Sequence, residues 1–293
     1  MGVCAPAGPV DPERLRLGLA ALEELGFQVR VGEGIVEVER FTAGTLARRL
    51  DELTALIEDP DVKGIVCARG GAGAGRLLPG LDPGRVAATP KVLVGYSDVT
   101  WLHLYLARLD LVSFHGPMVG RELADGTYDR QALLSAVSGD GPLYASEPDD
   151  LLPLRRGSAE GVLVGGCLSI LAAAAGTPWA LRPEPGRILF LEDVDEPPYR
   201  IDRMLFQLRR SGALEGVGGI VFGDMRGCSP ALTAAWSLED VILDALDGLD
   251  VPVALGLSSG HTRSPTVTLP LGVRVRLACG DEAAFEVLEP AVG

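Results

Sequence analysis

Lys91-Val92-Leu93-Val94-Gly95-Tyr96-Ser97-Asp98-Val99-Thr100 passes from an apolar run, through a sharp turn, into Trp101-Leu102-His103-Leu104 at helical spacing. A short apolar run closed by glycine reads as a buried parallel strand. A serine at the strand-to-helix turn is the setting of a nucleophile elbow, which lifts a hydroxyl out of a sheet. The GxSxG form is incomplete, because Val99 stands where its last glycine would be. Taken alone, Ser97 is more often a plain helix cap, since serine is a favoured N-cap.

Working outward, the same alternation recurs. Asp11-Pro12 reads as an N-cap and first helical position, Leu15, Leu19, Leu22 and Leu25 share a face, and Gly26 ends the helix. Phe27 to Val31 reads as a strand, and Thr45 to Asp59 as a helix with Leu46, Leu50, Leu53 and Ile57 on one side. Gly64 to Ala68 is a second buried strand. Repeated strand-helix alternation predicts an α/β protein with a mostly parallel sheet flanked by helices. Residues 139–158, rich in Gly, Pro, Asp and Ser, read as a linker between units at 1–138 and 159–293. In the second unit Arg187 to Leu191 and Gly218 to Phe222 read as strands, with a helix over Tyr199 to Arg210 between them. The tail from Thr266 to Val292 alternates as antiparallel strands do.

Composition narrows the functional classes. The 293 residues carry 47% hydrophobic and 23% charged side chains, which suits a well-buried protein. A net charge of -14 opposes a nucleic-acid partner, whose phosphates would be repelled. The five cysteines, Cys4, Cys67, Cys167, Cys228 and Cys279, form no CxxC pair and are odd in number, so neither a disulfide framework nor a zinc site is implied. The first ten residues show no signal-peptide pattern, and the apolar run Leu168 to Ala175 is too short to span a bilayer. The expectation is a reduced, soluble, cytoplasmic protein without a membrane partner.

The glycine cluster Arg69-Gly70-Gly71-Ala72-Gly73-Ala74-Gly75-Arg76 fails as a nucleotide loop. A dinucleotide fingerprint from Gly71 needs glycine where Arg76 stands, and a P-loop from Gly70 needs Lys where Arg76 stands. It reads either as a tight strand-to-helix turn or as backbone N–H groups aimed at a reacting oxygen. Of the three histidines, His103 sits in the helix after Ser97 and reads as packed, while His115 and His261 lie in loops and rank equally as a base. Leu191-Glu192-Asp193-Val194-Asp195-Glu196 places four carboxylates at a strand end, either as a solvated loop or as the partner a catalytic histidine needs. No His or Cys accompanies them at metal-ligand spacing.

These pieces occur in one order: Arg69-Gly70-Gly71, Arg76-Leu77-Leu78-Pro79, the segment 91–100, His115-Gly116-Pro117, Gly165-Gly166, Ile188 to Asp193, Tyr199 to Arg203 and Gly260-His261. The ordered set resembles the LD-carboxypeptidases, or muramoyltetrapeptide carboxypeptidases, and the related microcin-C immunity peptidases. The resemblance implies a Ser-His-Glu triad of Ser97, His261 and Glu192, with Glu196 as the alternative acid, and an oxyanion hole from the backbone of Gly71 and Asp98. It also implies an N-terminal α/β unit, a smaller C-terminal α+β unit with mixed strands, a homodimer, and no metal or cofactor. The implied substrate is a murein-derived tetrapeptide cut at an L,D-bond. The rivals are a peptidyl or aminoacyl nucleotide, with Trp101, Trp179 or Trp236 stacking on the base, and non-catalytic small-molecule binding on the same scaffold. Two positions depart from the family pattern, Ala72 in place of an aromatic residue and Cys167 in place of Asn. Cys167 is thereby either a rival nucleophile or a packed thiol. Arg69, Arg200 and Arg203 are the cations considered for a substrate carboxylate.

Overall fold

Two sheets share the chain, and the computed structural model describes residues 1–147 and 150–292. The first half runs β1 (Gly2–Cys4), α1 (Pro12–Glu24), β2 (Arg30–Val31), α2 (Leu46–Glu58), β3 (Gly64–Cys67), α3 (Pro83–Ala88), β4 (Val92–Gly95), α4 (Thr100–Ala107), β5 (Ser113–His115) and α5 (Arg130–Ser138). The second runs β6 (Leu152–Arg155), β7 (Gly157–Cys167), α6 (Leu168–Ala174), β8 (Ile188–Glu192), α7 (Pro198–Arg210), β9 (Gly219–Gly223), α8 (Leu238–Ala245), β10 (Val253–Leu257), β11 (Leu269–Leu271), β12 (Arg274–Cys279) and β13 (Ala283–Val287). The first sheet has the order β11-β5-β4-β3-β1-β2 and the second β13-β12-β7-β8-β9-β10-β6. The first is parallel except where β11 meets β5, while β12, β13 and β6 make the second mixed. This is the α/β class expected from the alternation.

Local chemistry explains the helices. Asp11 accepts hydrogen bonds from the Glu13 and Arg14 N–H groups at 3.0 Å, satisfying two of the orphan donors that open α1, and Pro12 supplies its first turn. Thr45 caps α2 in the same way, and Leu53, Leu56 and Ile57 turn its apolar face onto the sheet. Leu46, counted in that stripe on sequence, is exposed. The strand read at Phe27–Val31 shrinks to the two residues of β2 at the sheet edge.

Two departures matter for function. The 139–158 stretch read as linker contains β6 and the start of β7, with Pro148 and Asp149 outside the described residues. Pro153 is compatible with β6 because that strand is the outer edge of its sheet. The tail strands are antiparallel as expected, but β11 leaves the second sheet and pairs with β5, Leu269 opposite His115. This covers the open edge of β5 and stretches the chain after β10 across from one sheet to the other.

The halves are also fastened at the helix behind Ser97. Thr100 Oγ1 accepts a hydrogen bond from the Cys167 N–H at 3.0 Å, wholly buried. Gly166, at φ +137°, permits this approach, since a Cβ there would lie 2.7 Å from that oxygen. Cys167 is in turn the register partner of Glu192 across β7 and β8. Replacing Thr100 with Val preserves shape but strands a buried N–H. The expected loss is about 1–3 kcal/mol of stability in urea unfolding, and an unchanged midpoint would show that this tie carries no weight.

Candidate active site

Ser97 is held where the C-terminal end of β4 turns into α4. Its φ of +63° lies in the left-handed region that non-glycine residues seldom adopt, which gives the sharp reversal of an elbow. The glycine loop wraps this turn. A Cβ on Gly70 would sit 2.7 Å from Ser97 Cβ and 2.8 Å from its Oγ, so only glycine leaves the hydroxyl uncrowded. The Asp98 carboxylate, itself buried, accepts from the Ala74 N–H at 2.8 Å and staples loop to turn. The backbone N–H groups of Gly71 and Asp98 donate to nothing among the described residues.

The acid and the imidazole come from the other half. Glu192 ends β8 at 1% exposure, and its Oε2 lies 2.8 Å from His261 Nδ1 and 3.0 Å from the His261 N–H. Gly260 makes the approach possible, because a Cβ there would meet Glu192 Oε2 at 2.8 Å. Asp224 anchors the same loop through the Thr262 hydroxyl at 2.5 Å and the Arg263 N–H at 2.8 Å. On its other side, His261 meets the Tyr96 ring edge-on at 4.9 Å between centroids. Tyr96 immediately precedes Ser97, and its hydroxyl donates to Glu122 at 2.6 Å. Among the described residues neither the Ser97 hydroxyl nor His261 Nε2 forms a hydrogen bond, so both remain open to a ligand. Catalytic contacts of this kind commonly tighten only once substrate is bound.

The remaining candidates separate cleanly. His103 bonds Ser113 Oγ and Gly95 O at 2.9 Å each, and burial pushes its imidazole down to about 3, so it is neutral packing. His115 lies on the far side of Glu192, its Nε2 3.7 Å from Oε1. Of the four carboxylates, Asp193 accepts from the Ser169 and Val194 N–H groups, and Glu196 pairs with Arg200 at 2.8 Å, so only Glu192 meets an imidazole. Burial, aided by Glu192 and Asp193, pushes the Cys167 thiol well above its usual range, which fits a packed thiol and not a nucleophile. Arg69 is bonded to Pro9 O, and Arg203 stacks over Tyr199. Among the described residues no group of three or more His, Cys, Asp or Glu is placed to hold a metal ion, and no helix is long and apolar enough to cross a membrane. Thr100, Asp224 and the Tyr96–Glu122 bond escaped the sequence reading. Only a three-dimensional contact distinguishes them from ordinary polar residues.

The charges of the pair are interdependent. Burial alone would raise the Glu192 carboxyl, but His261 and His115 outweigh it and hold the group below its usual 4.5. Burial alone would lower His261, but the Glu192 carboxylate reverses this and raises it above its usual 6.5. A depressed carboxyl stabilises the fold above about 4.5 and loses that contribution as pH falls, whereas a raised imidazole stabilises it below about 6.5 and loses its contribution as pH rises through the folded value. The pair therefore supports the fold most in weakly acidic solution. The stability difference between wild type and Glu192→Gln, from denaturation at a series of pH values, is expected to peak there; a pH-independent difference would contradict the pairing.

Known proteins resemble this chain over most of its length. Residues 1–116 match the LD-carboxypeptidase N-terminal domain and residues 160–277 the LD-carboxypeptidase C-terminal domain. The chain is 38% identical to a probable murein peptide carboxypeptidase of Bacillus subtilis (strain 168), covering 100% of this chain and 92% of that one. It is 35% identical to the murein tetrapeptide carboxypeptidase of Pseudomonas aeruginosa, covering 89% and 87%. The crystal structure of muramoyltetrapeptide carboxypeptidase from Oxalobacter formigenes superimposes with a TM-score of 0.86 at 30% identity, covering 99% and 100%. Two sheets of this kind, matched over their whole length by carboxypeptidases, make the protein a peptidase. It belongs to the LD-carboxypeptidase family.

Proposed function

We propose that Ser97, His261 and Glu192 form a catalytic triad that hydrolyses an L,D-peptide bond in murein-derived tetrapeptides, releasing the terminal D-residue. The observation that carries this reading is the buried 2.8 Å contact between Glu192 and His261, set against the tyrosine that precedes a serine at positive φ. A serine hydroxyl is a weak nucleophile at neutral pH, so His261 takes its proton as Ser97 attacks the scissile carbonyl. Glu192, accepting from Nδ1, keeps the Nε2 lone pair turned outward and stabilises the imidazolium that forms. The free N–H groups of Gly71 and Asp98 receive the oxyanion, each lowering the barrier by about 3–4 kcal/mol. His261 then returns its proton to the leaving amine, and water attacks the acyl-enzyme to restore Ser97. The names of the relatives over whose length this chain extends support a murein substrate.

The nucleotide-linked rival calls for an accessible aromatic surface. Trp101 lies against Gly75 and packs with two of the cores, and Trp179 is half-buried against one of them, which leaves the exposed Trp236 as the remaining ring for stacking. Mass spectrometry of a muropeptide tetrapeptide incubated with the protein is expected to show loss of one D-residue, with the microcin-like adenylate untouched. Ser97→Ala should abolish cleavage without altering the circular dichroism spectrum. Glu192→Gln should lower kcat by about ten-thousand-fold, whereas Glu196→Gln should stay near wild type. Wild-type turnover by the Ser97 variant would remove that residue from the mechanism, and a larger defect in the Glu196 variant would move the acid.

A further inference from the structure

His115 ends β5 with no exposed surface, and the mechanism above gives it no task. Its contacts narrow where its proton sits. Nδ1 lies 2.9 Å from Ser259 Oγ. That hydroxyl also lies 3.0 Å from Val267 O and 3.4 Å from His115 O, and both carbonyls can only accept. The single Ser259 proton goes either to a carbonyl, with the ring donating from Nδ1, or to Nδ1 itself, with the ring proton on Nε2. The first arrangement leaves Nε2 as a bare lone pair. It faces Glu192 Oε1 at 3.7 Å, and both atoms are sealed from solvent without a hydrogen-bond partner among the described residues. Two acceptors turned toward each other in a dry space repel, whereas placing the ring proton on Nε2 converts the repulsion into a charge-assisted attraction.

We propose that His115 is a positioning residue that carries a proton on Nε2 against the far oxygen of Glu192, so that one carboxylate is shared between two imidazoles. The other groups around the ring leave Glu192 as the partner for that proton. His103, from α4, stands 6.1 Å away between ring centroids and is neutral, donating from Nε2 to Gly95 O. Tyr96, from the end of β4, approaches at 5.6 Å with its hydroxyl committed to Glu122, and Phe190, from β8, presents an apolar edge at 5.0 Å. Among the described residues, Glu192 is the carboxylate that meets the ring. The proton would do two things. It would fix the carboxylate plane from behind, leaving Oε2 aimed at His261. It would also offset part of the Glu192 charge, so that His261 is not made too basic to be unprotonated at neutral pH. This second role rests on His261 acting as the base; the proton on His115 does not.

With three histidines in the chain, nitrogen-15 imidazole NMR can follow each ring, assigned through single His→Gln variants. His115 should show a protonated Nε2 in the wild type. A bare Nε2 in the wild type would overturn the proposal, whether or not any variant folds. In kinetics, His115→Phe removes that donor from Glu192, so His261 should become more basic. The acidic limb of kcat/KM against pH should then move upward by about one unit. A residue serving only to pack would lower the rate at every pH and leave the limb in place, and that result would also overturn the proposal. Should the wild type hydrolyse neither peptide, the triad reading fails while the NMR result still judges His115.

Discussion

Everything at this site depends on one ionised carboxylate kept away from water. Glu192 is 1% exposed, and an isolated charge so deeply placed would cost several kcal/mol. The protein surrounds it with a 2.8 Å contact to His261 Nδ1, a backbone N–H at 3.0 Å and the nearby His115 ring. The neighbours are as constrained as the charge. Gly223 and Gly260 are needed because a Cβ on either would lie 2.8 Å from atoms of Glu192.

The two sheets exist in a fixed relation because the chain crosses between them where Glu192 and His261 meet. The loop between β10 in the second sheet and β11 in the first carries Ser259, Gly260 and His261 over the end of β5. Below it, Thr100 reaches from α4, the helix after Ser97, to Cys167, whose register partner is Glu192. The Ser97 turn and the Glu192–His261 pair are therefore joined by buried contacts. A Pro or Gly swap in a remote loop would be tolerated more readily than any change along this path, since surface connections carry few buried contacts.

Capping and periodicity were legible in the chain itself. Asp11-Pro12, Thr45 and Gly26 mark helix ends by backbone chemistry that acts over three or four residues, so a local reading finds them. The buried strands at Gly64 and Val92 announced themselves by unbroken apolar runs. Edge elements were harder. β2 is two residues long, and β6 hides in a stretch whose Gly, Pro and Asp suggested a linker, because an edge strand needs only one row of hydrogen bonds and tolerates polar residues.

Sequence by itself determined the α/β class, the strand-to-helix turn at Ser97 and the family resemblance, because these depend on short-range pattern and order. It left His115 and His261 equal as candidates and gave Glu192 no advantage over its neighbours in Glu192-Asp193-Val194-Asp195-Glu196. Tertiary structure shows which of these residues meet. Glu192 and His261 are 69 residues apart yet hydrogen-bonded, and which oxygen meets which nitrogen follows from strand register and from the crossing of β11 to the other sheet. Such pairings are set by packing between distant segments, and no local stretch of chain encodes them.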